Sequence, residues 1–102
     1  MEWIAIVYDK PGADRAPVIE QHKAAVPGYI KAGIVTNAGP IFEDEERTKF
    51  AGSAFNLIAN SKEEVIEFLK NDIFGKSGIW DIDSVVVHPL GVAYRKQQDL
   101  QF

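Results

Sequence analysis

The chain has 102 residues, 46% hydrophobic and 25% charged, which is typical of one globular domain with a modest core. The absence of cysteine excludes disulfides, thiol catalysis and a thiolate metal site. A formal net charge of -4, without any cluster of lysine or arginine, argues against nucleic acid as a partner.

The sequence contains no run of about 18 apolar residues, and we therefore expect no transmembrane helix and no membrane partner. The N-terminus has no basic segment ahead of an apolar one, so no signal peptide is expected. Because Met1-Glu2-Trp3-Ile4 enters a predicted strand directly, we expect an intact start and a cytoplasmic protein.

The first elements are a strand and a helix joined by a turn. Residues 2 to 8 form a nearly continuous apolar, β-branched and aromatic run, which predicts a strand buried on both faces. Asp9-Lys10-Pro11-Gly12 predicts a turn. A helix is expected from about Asp14 to Ala25, with Pro17 in its first turn, where a missing N–H costs little.

The end of this helix is marked by proline and glycine. Pro27 and Gly28 are expected to break or kink it. Residues 29 to 32 then give at most one more turn before Gly33 caps the helix.

His22 lies on the apolar stripe of this helix with Ile19 and Val26, because residues three and four apart share a helix face. Its imidazole should therefore point at the protein body. If Asp72 arrives from a distant segment, the histidine can serve as a tuned acid or base. The alternative is a core histidine that is hydrogen-bonded to backbone.

The middle of the chain predicts a hairpin. A strand from about Ile34 to Phe42 contains Ala38-Gly39-Pro40, and proline within a strand indicates a sheet edge or a bulge. The acidic run at residues 43 to 47 would lie at the hairpin tip, where such charges are usually solvated and carry no catalytic role. A third strand is expected from Phe50 to Ala59.

The last third predicts a helix and a strand. Ser61 and Glu64 form a capping box ahead of a second helix. Residues 72 to 78 form a compact connector, and a fourth strand is expected from about Trp80 to His88. The buried stripe of the second helix is supplied by Val65, Phe68 and Leu69.

The order βαββαβ predicts an α+β, ferredoxin-like domain with an antiparallel four-stranded sheet over residues 1 to 90. Two helices cover only one face of such a sheet, and the first and last strands are apolar on both faces. A homodimer that packs two sheets into an α+β barrel would cover the other face. The tail at 91 to 102 is then an arm on the partner or partly disordered.

The chain resembles the YCII-related family of small dimeric α+β barrel proteins over roughly residues 1 to 90. The motifs that carry the resemblance keep their order and spacing across the predicted elements. They are Tyr8-Asp9, an arginine and then a histidine in the first helix, Ala38-Gly39-Pro40, Gly52-Ser53, Asp72 two residues before an aromatic, Gly78 and Val87-His88-Pro89.

The resemblance implies that His22 and Asp72 form a catalytic pair and that Arg15, Ser53 and Phe74 line the substrate pocket. The second arginine that the family often carries is replaced by Ile19. The Asp-Pro-Tyr type of segment reads Asp-Ile-Phe here, without proline or phenolic hydroxyl. For Asp72 the alternative role is a cap of the connector, and for Ser53 a small residue of the sheet.

A carboxylate that accepts from one imidazole nitrogen fixes the tautomer and leaves the other nitrogen as a proton acceptor. With no metal, cofactor or good nucleophile evident, proton abstraction or elimination on a small cyclic or aromatic substrate is the natural reaction class, and the family is associated with lyase-like eliminations. Two alternatives stay open: a non-catalytic small-molecule-binding or protein-interaction dimer, and a related monooxygenase barrel.

The remaining histidine and the tryptophans are expected to be structural. His88 precedes a proline at a strand end, and two histidines so far apart give little support for a metal site. Trp3 and Trp80 are expected in the sheet or the dimer core.

Overall fold

The computed structural model describes residues 1 to 102. Its sheet has the strand order β2-β3-β1-β4, and every neighbouring pair is antiparallel. The ferredoxin-like α+β fold predicted from the sequence is confirmed, with one short extra helix in the connector. The elements are β1 (Glu2–Asp9), α1 (Ile19–Lys31), β2 (Val35–Phe42), β3 (Phe50–Ile58), α2 (Lys62–Asn71), α3 (Ile73–Lys76) and β4 (Trp80–Pro89).

The core lies between the sheet and the helices. Along β1 the residues Trp3, Ala5 and Val7 are buried, and they alternate with residues that are not. Within a single chain β1 is thus fully buried on one face only, because successive side chains of a strand point to opposite faces. Other members of the same hydrophobic cluster are Phe55, Leu57, Val65, Leu69, Phe74, Trp80 and Val87.

The opposite side of the sheet carries an apolar surface that no helix covers. Ile6 pairs with Ala54 on one side and with Val86 on the other, so these side chains share that surface. Ile58 and Val86 are each 42% exposed. We call this surface, centred on Ile4, Ile6, Ile58 and Val86, the bare face.

Helix α1 begins five residues later than predicted and does not stop at its proline. The carboxylate of Asp14 accepts the Ala16 amide in a turn, and α1 begins only at Ile19. Pro27 lies inside the helix on its exposed side, where the carbonyl that loses its partner can be solvated. The helix therefore continues to Lys31 instead of breaking.

The hairpin agrees with its prediction. β2 pairs only with β3 and is a sheet edge, which explains why Pro40 is tolerated there. The acidic run lies in the loop between the two strands. Asp44 organises this loop by accepting hydrogen bonds from the Thr48 hydroxyl and the Lys49 amide, which hold the pKa of its carboxyl below the usual value.

The segment after α2 is held by a close backbone approach. The Ser61 hydroxyl caps α2 by accepting the Glu64 amide at 3.2 Å, as the capping box predicts. At the other end, α3 follows directly. A side chain at Gly75 would place its Cβ 2.1 Å from the Leu69 carbonyl oxygen, so this position accepts no Cβ. The turn that carries Asp72 is thus packed tightly against the end of α2.

The tail, residues 91 to 102, forms no helix or strand. Arg95 forms an ion pair with Glu2 of the same chain and donates to the Thr36 hydroxyl at 3.2 Å. The placement of this tail on a partner subunit stays a prediction. None of the helices combines the length and the apolar character needed to cross a membrane.

Candidate active site

Asp72 is the centre of a buried hydrogen-bond network at the junction of α2 and α3, with 1% of its surface exposed. Its Oδ1 accepts the Phe74 amide at 2.9 Å and lies 2.8 Å from His22 Nδ1. Its Oδ2 accepts the Tyr29 hydroxyl at 2.8 Å. Both carboxylate oxygens are thus engaged, and Asp72 caps α3 as well as contacting the histidine.

The His22 ring is held on one face and free at one nitrogen. It stacks on the Phe74 ring with centroids 4.1 Å apart and planes 10° apart, and it meets Trp80 edge-on at 5.8 Å. An ionised carboxylate only accepts, so Nδ1 donates to Asp72. Nε2 has no partner in the chain, and it is not a fully buried atom, since only Trp80 Nε1 is both buried and unpaired.

The charge states within this network follow from its contacts. Burial raises the pKa of the Asp72 carboxyl, but the hydrogen bonds from His22, the Phe74 amide and Tyr29 outweigh burial, and the pKa lies below its usual value. Burial and the neighbouring carboxylate raise the pKa of the Tyr29 hydroxyl well above its ordinary value. Asp72 is therefore an anion and Tyr29 a neutral donor.

A second buried cluster surrounds Arg15, in the loop before α1. Its Nε and Nη2 donate to the two carboxylate oxygens of Asp9, each at 2.8 Å. Nη2 also donates to the Gly52 carbonyl at 2.8 Å and to the Ser53 hydroxyl at 3.3 Å. Arg15 thus forms a bidentate pair with Asp9 and has two further acceptors in β3. A buried arginine is well satisfied in this geometry.

Phe74 separates the two clusters and contacts both. The Arg15 guanidinium carbon lies 4.8 Å from the centre of the Phe74 ring, and 4.4 Å from that of Phe50. Because His22 stacks 4.1 Å from the same Phe74 centre, the guanidinium and the imidazole are at most about 9 Å apart. The fold thus brings together all five residues that the sequence singled out, which are His22, Asp72, Arg15, Ser53 and Phe74.

A cavity of about 580 Å³ lies beside the arginine and not beside the histidine. Its walls include Arg15, Asp9, Phe50 and Ile19, whereas His22 is not among them. Ile19 precedes His22 by three residues on the same helix face, so the histidine is one turn further along that face. The cavity therefore reaches the neighbourhood of the pair without containing it.

Two members of the clusters were missed by sequence reasoning. Tyr29 lies seven residues after His22, a spacing of two helical turns that places both on one face once α1 runs through Pro27. That spacing is the signal that would have identified it. Asp9 belongs to the Tyr8-Asp9 motif and the predicted turn, but the sequence gives no sign of its ion pair with Arg15 at the end of β1.

The other candidate residues lie outside the two clusters or in the core. His88 is exposed on the side of the bare face, paired with Ile4. Trp3 is buried and donates its Nε1 to the Ala59 carbonyl at 2.9 Å. Trp80 is buried among Phe55, Phe74 and the His22 ring. No group of three or more carboxylate or imidazole side chains converges as metal ligands.

No family model matches this sequence. Aspercryptin biosynthesis cluster protein B of Emericella nidulans is 32% identical over 102 residues, covering 93% of this chain and 65% of that protein. Fusaric acid biosynthesis protein 2 of Gibberella fujikuroi is 27% identical over 94 residues, covering 86% of this chain and 90% of that protein. The chain thus spans slightly less than two thirds of the first of these relatives.

Among solved structures, the fold resembles that of 5-chloro-2-hydroxyhydroquinone dehydrochlorinase from Burkholderia phenoliruptrix, in complex with 2,5-dihydroxybenzoquinone. The TM-score is 0.63 at 24% identity, over 89% of this chain and 94% of that one. This likeness establishes a shared chain fold.

Proposed function

We propose that this chain is an enzyme of the YCII-related family in which His22, oriented by Asp72, removes a proton from a small cyclic or aromatic substrate. The observation that carries the proposal is the division of the imidazole into one nitrogen bonded to a buried carboxylate and one nitrogen without a partner. That division is what a general base requires, because the free nitrogen accepts the proton and the carboxylate stabilises the imidazolium.

The reaction class is elimination or isomerisation without a cofactor. Nε2 takes a proton from a carbon or hydroxyl of the ring, and the released electron pair forms a new double bond. In an elimination that pair expels a leaving group from the neighbouring position, and in an isomerisation the proton returns elsewhere on the ring. The Asp72 carboxylate stays ionised throughout, because its three hydrogen bonds favour the anion.

Substrate binding is assigned to Arg15, and the buried Ser53 and Phe74 support the guanidinium and the imidazole from behind. Arg15 Nη1 donates no hydrogen bond within the chain and is not fully buried, so it is available to a substrate oxygen at the cavity. Ser53 supports the guanidinium from below. Phe74 backs the imidazole, and the substrate ring would pass Ile19 to reach it.

The relatives support small-molecule chemistry as the setting. The two fungal relatives are named for the biosynthesis of aspercryptin and of fusaric acid, and the structural neighbour is a dehydrochlorinase with a dihydroxybenzoquinone bound. By analogy we expect a small oxygenated ring as the substrate. The cytoplasmic location expected from the sequence stays a prediction.

The direct test is turnover on a panel of substituted hydroquinones, including chlorinated ones, and lactones. His22→Ala and Asp72→Asn should each lower kcat/KM by about 10²-fold or more. Gln21→Ala and Asp83→Asn, which change exposed side chains outside the two clusters, are the controls. Dialysis against a chelator should leave the activity in place. Equal turnover in both site variants and the wild type would remove the assigned roles.

A non-catalytic binding protein is the second candidate, favoured by one observation. The cavity is lined by the arginine cluster and does not include His22. In that case Arg15 and Phe50 hold a metabolite without converting it. Native mass spectrometry of purified protein separates the two, since a co-purifying ligand with no turnover on the panel favours binding alone. An absorption spectrum with a Soret band would instead favour the third alternative, a monooxygenase barrel, in a form that uses haem.

The proposal includes a homodimer formed through the bare face. Ile4, Ile6, Ile58 and Val86 leave apolar surface in water on a single chain, and burial of such a side chain contributes roughly 1.5–3 kcal/mol. Packing against a second copy removes that surface and makes stability depend on protomer concentration. Sedimentation equilibrium at low micromolar concentration should give a dimer, and a well-folded monomer would contradict the assembly.

A further inference from the structure

The contact between Tyr29 and Asp72 is not explained by the packing of α1. The Tyr29 ring meets Phe68 edge-on at 4.8 Å, an apolar contact that a phenylalanine would make equally well. Its hydroxyl, however, lies 2.8 Å from Asp72 Oδ2, the carboxylate oxygen that is not bonded to the histidine. We propose that Tyr29 is a positioning residue that fixes the Asp72 carboxylate and lowers the proton affinity of His22.

Tyr29 restricts the orientation of the Asp72 carboxylate. A carboxylate can rotate about its Cβ–Cγ bond unless both oxygens have directed partners. Oδ1 is held by the Phe74 amide and by His22, and Oδ2 is held by Tyr29 alone. Tyr29 therefore completes the set of contacts that keeps Oδ1 in line with the imidazole.

Tyr29 also acts on the charge of the Asp72 carboxylate. A hydrogen bond to a carboxylate withdraws part of its negative charge and lowers its strength as an acceptor for other donors. With Tyr29 bonded to Oδ2, Asp72 attracts the imidazolium proton less strongly than a carboxylate with one free oxygen would. The neutral form of His22, which is the form that acts as a base, is thereby favoured.

Other charged groups around the pair do not replace this contact. From the loop before α1, Arg15 lies across Phe74 and is paired with Asp9. On the outer side of α1, Lys23 and Glu20 lie 3.9 Å apart. From β4 only the uncharged Trp80 reaches the imidazole, and α2 and α3 supply Asp72 itself. Burial and the adjacent carboxylate raise the pKa of the Tyr29 hydroxyl, so it stays a donor where the enzyme would work.

The proposal deepens the assigned general base and rests on it for its kinetic consequence, but its first test does not need turnover. In Tyr29→Phe the ring and its contact with Phe68 are kept and only the donor is lost. The protonation of His22 can be followed by NMR through its imidazole carbon-bound protons across pH. We expect the midpoint to move to higher pH, with the neutral fraction at a fixed pH below the wild-type midpoint falling about two- to tenfold.

Tyr94→Phe is the matched control, because Tyr94 is 83% exposed and its hydroxyl makes no hydrogen bond. Difluorotyrosine at position 29 provides the opposite perturbation with the hydroxyl kept. Its more acidic hydroxyl is a stronger donor and should move the His22 midpoint to lower pH. It also keeps the proposal testable if Tyr29→Phe fails to fold.

An unchanged midpoint in Tyr29→Phe, equal to that of Tyr94→Phe, would overturn the proposal and leave Tyr29 a packing residue. On an active substrate, the acid limb of kcat/KM should move with the NMR midpoint while KM changes little. If His22→Ala keeps full turnover, the proposed function fails, yet the NMR shift still decides whether Tyr29 tunes the pair.

Discussion

The two faces of the sheet differ in what lies on them. On the helix side, two buried ionic clusters are satisfied by partners within the chain: Asp72 has three donors and the Arg15–Asp9 pair is bidentate. The bare face has no such cluster and leaves Ile58 and Val86 partly in water. The candidate catalytic and binding groups are therefore fully arranged within one chain, whereas the apolar surface of the bare face is covered by nothing in the same chain.

The largest effect is expected from breaking the arginine cluster on the helix side. Arg15→Ala leaves the Asp9 carboxylate, 10% exposed, without its cation. Removing one member of a buried pair costs about 3–5 kcal/mol, so the free energy of unfolding in urea should fall by that amount. Lys96→Ala, in the exposed tail, is the control. A loss under about 1 kcal/mol would mean that the cluster is solvated and the two faces are less different than we describe.

A charge on the bare face should act on assembly and not on the site. Val86→Asp places a carboxylate where the proposed interface is apolar, and we expect dimer affinity to fall by at least about 2 kcal/mol, roughly 30-fold. Circular dichroism should show a retained fold. Glu63→Ala on the exposed surface of α2 should change neither. Sedimentation over a concentration series measures the effect, and unaltered association would remove this face from the interface.

The smallest expected effect is a pH dependence that originates on the helix side. The pKa of Asp72 is lower in the folded chain than the value of about 3.9 for an unfolded one. Its contribution to stability is therefore present above about pH 4 and is lost as pH falls through the folded-state pKa. Urea unfolding between pH 7 and acid should show a shallower loss for Asp72→Asn than for the wild type. Parallel pH profiles would contradict the role of the three hydrogen bonds.

Most of the fold could be predicted because its signals are local. The nearly continuous apolar run of β1, the capping box at Ser61 and the proline in β2 each specify an element or its place in the sheet. The helix-face position of His22 follows from spacing alone. Its partner Asp72 does not, since fifty residues separate them and only the resemblance to a family connected the two.

The parts that could not be predicted depend on tertiary contacts. α1 begins at Ile19 and not near Asp14 because the residues before it are engaged elsewhere: Arg15 donates to Asp9, and the Asp14 carboxylate accepts the Ala16 amide in a turn. Tyr29 was missed because a break at Pro27 would have removed its register with His22. The cavity beside Arg15 depends on how the loop before α1 lies against β3. The spacing of apolar residues along the sequence does not predict that placement.

Gly75 has a consequence for anyone who wishes to redesign this protein. A Cβ at Gly75 would collide with the Leu69 carbonyl oxygen. In libraries that randomise the segment after Asp72, we therefore expect most variants that replace Gly75 to misfold. The cavity wall at Phe50 and Glu43 carries no comparable restriction, since both residues are exposed. Laboratory evolution of a new specificity should therefore vary Phe50 and Glu43 in the cavity wall and keep Gly75, close to Asp72, as glycine.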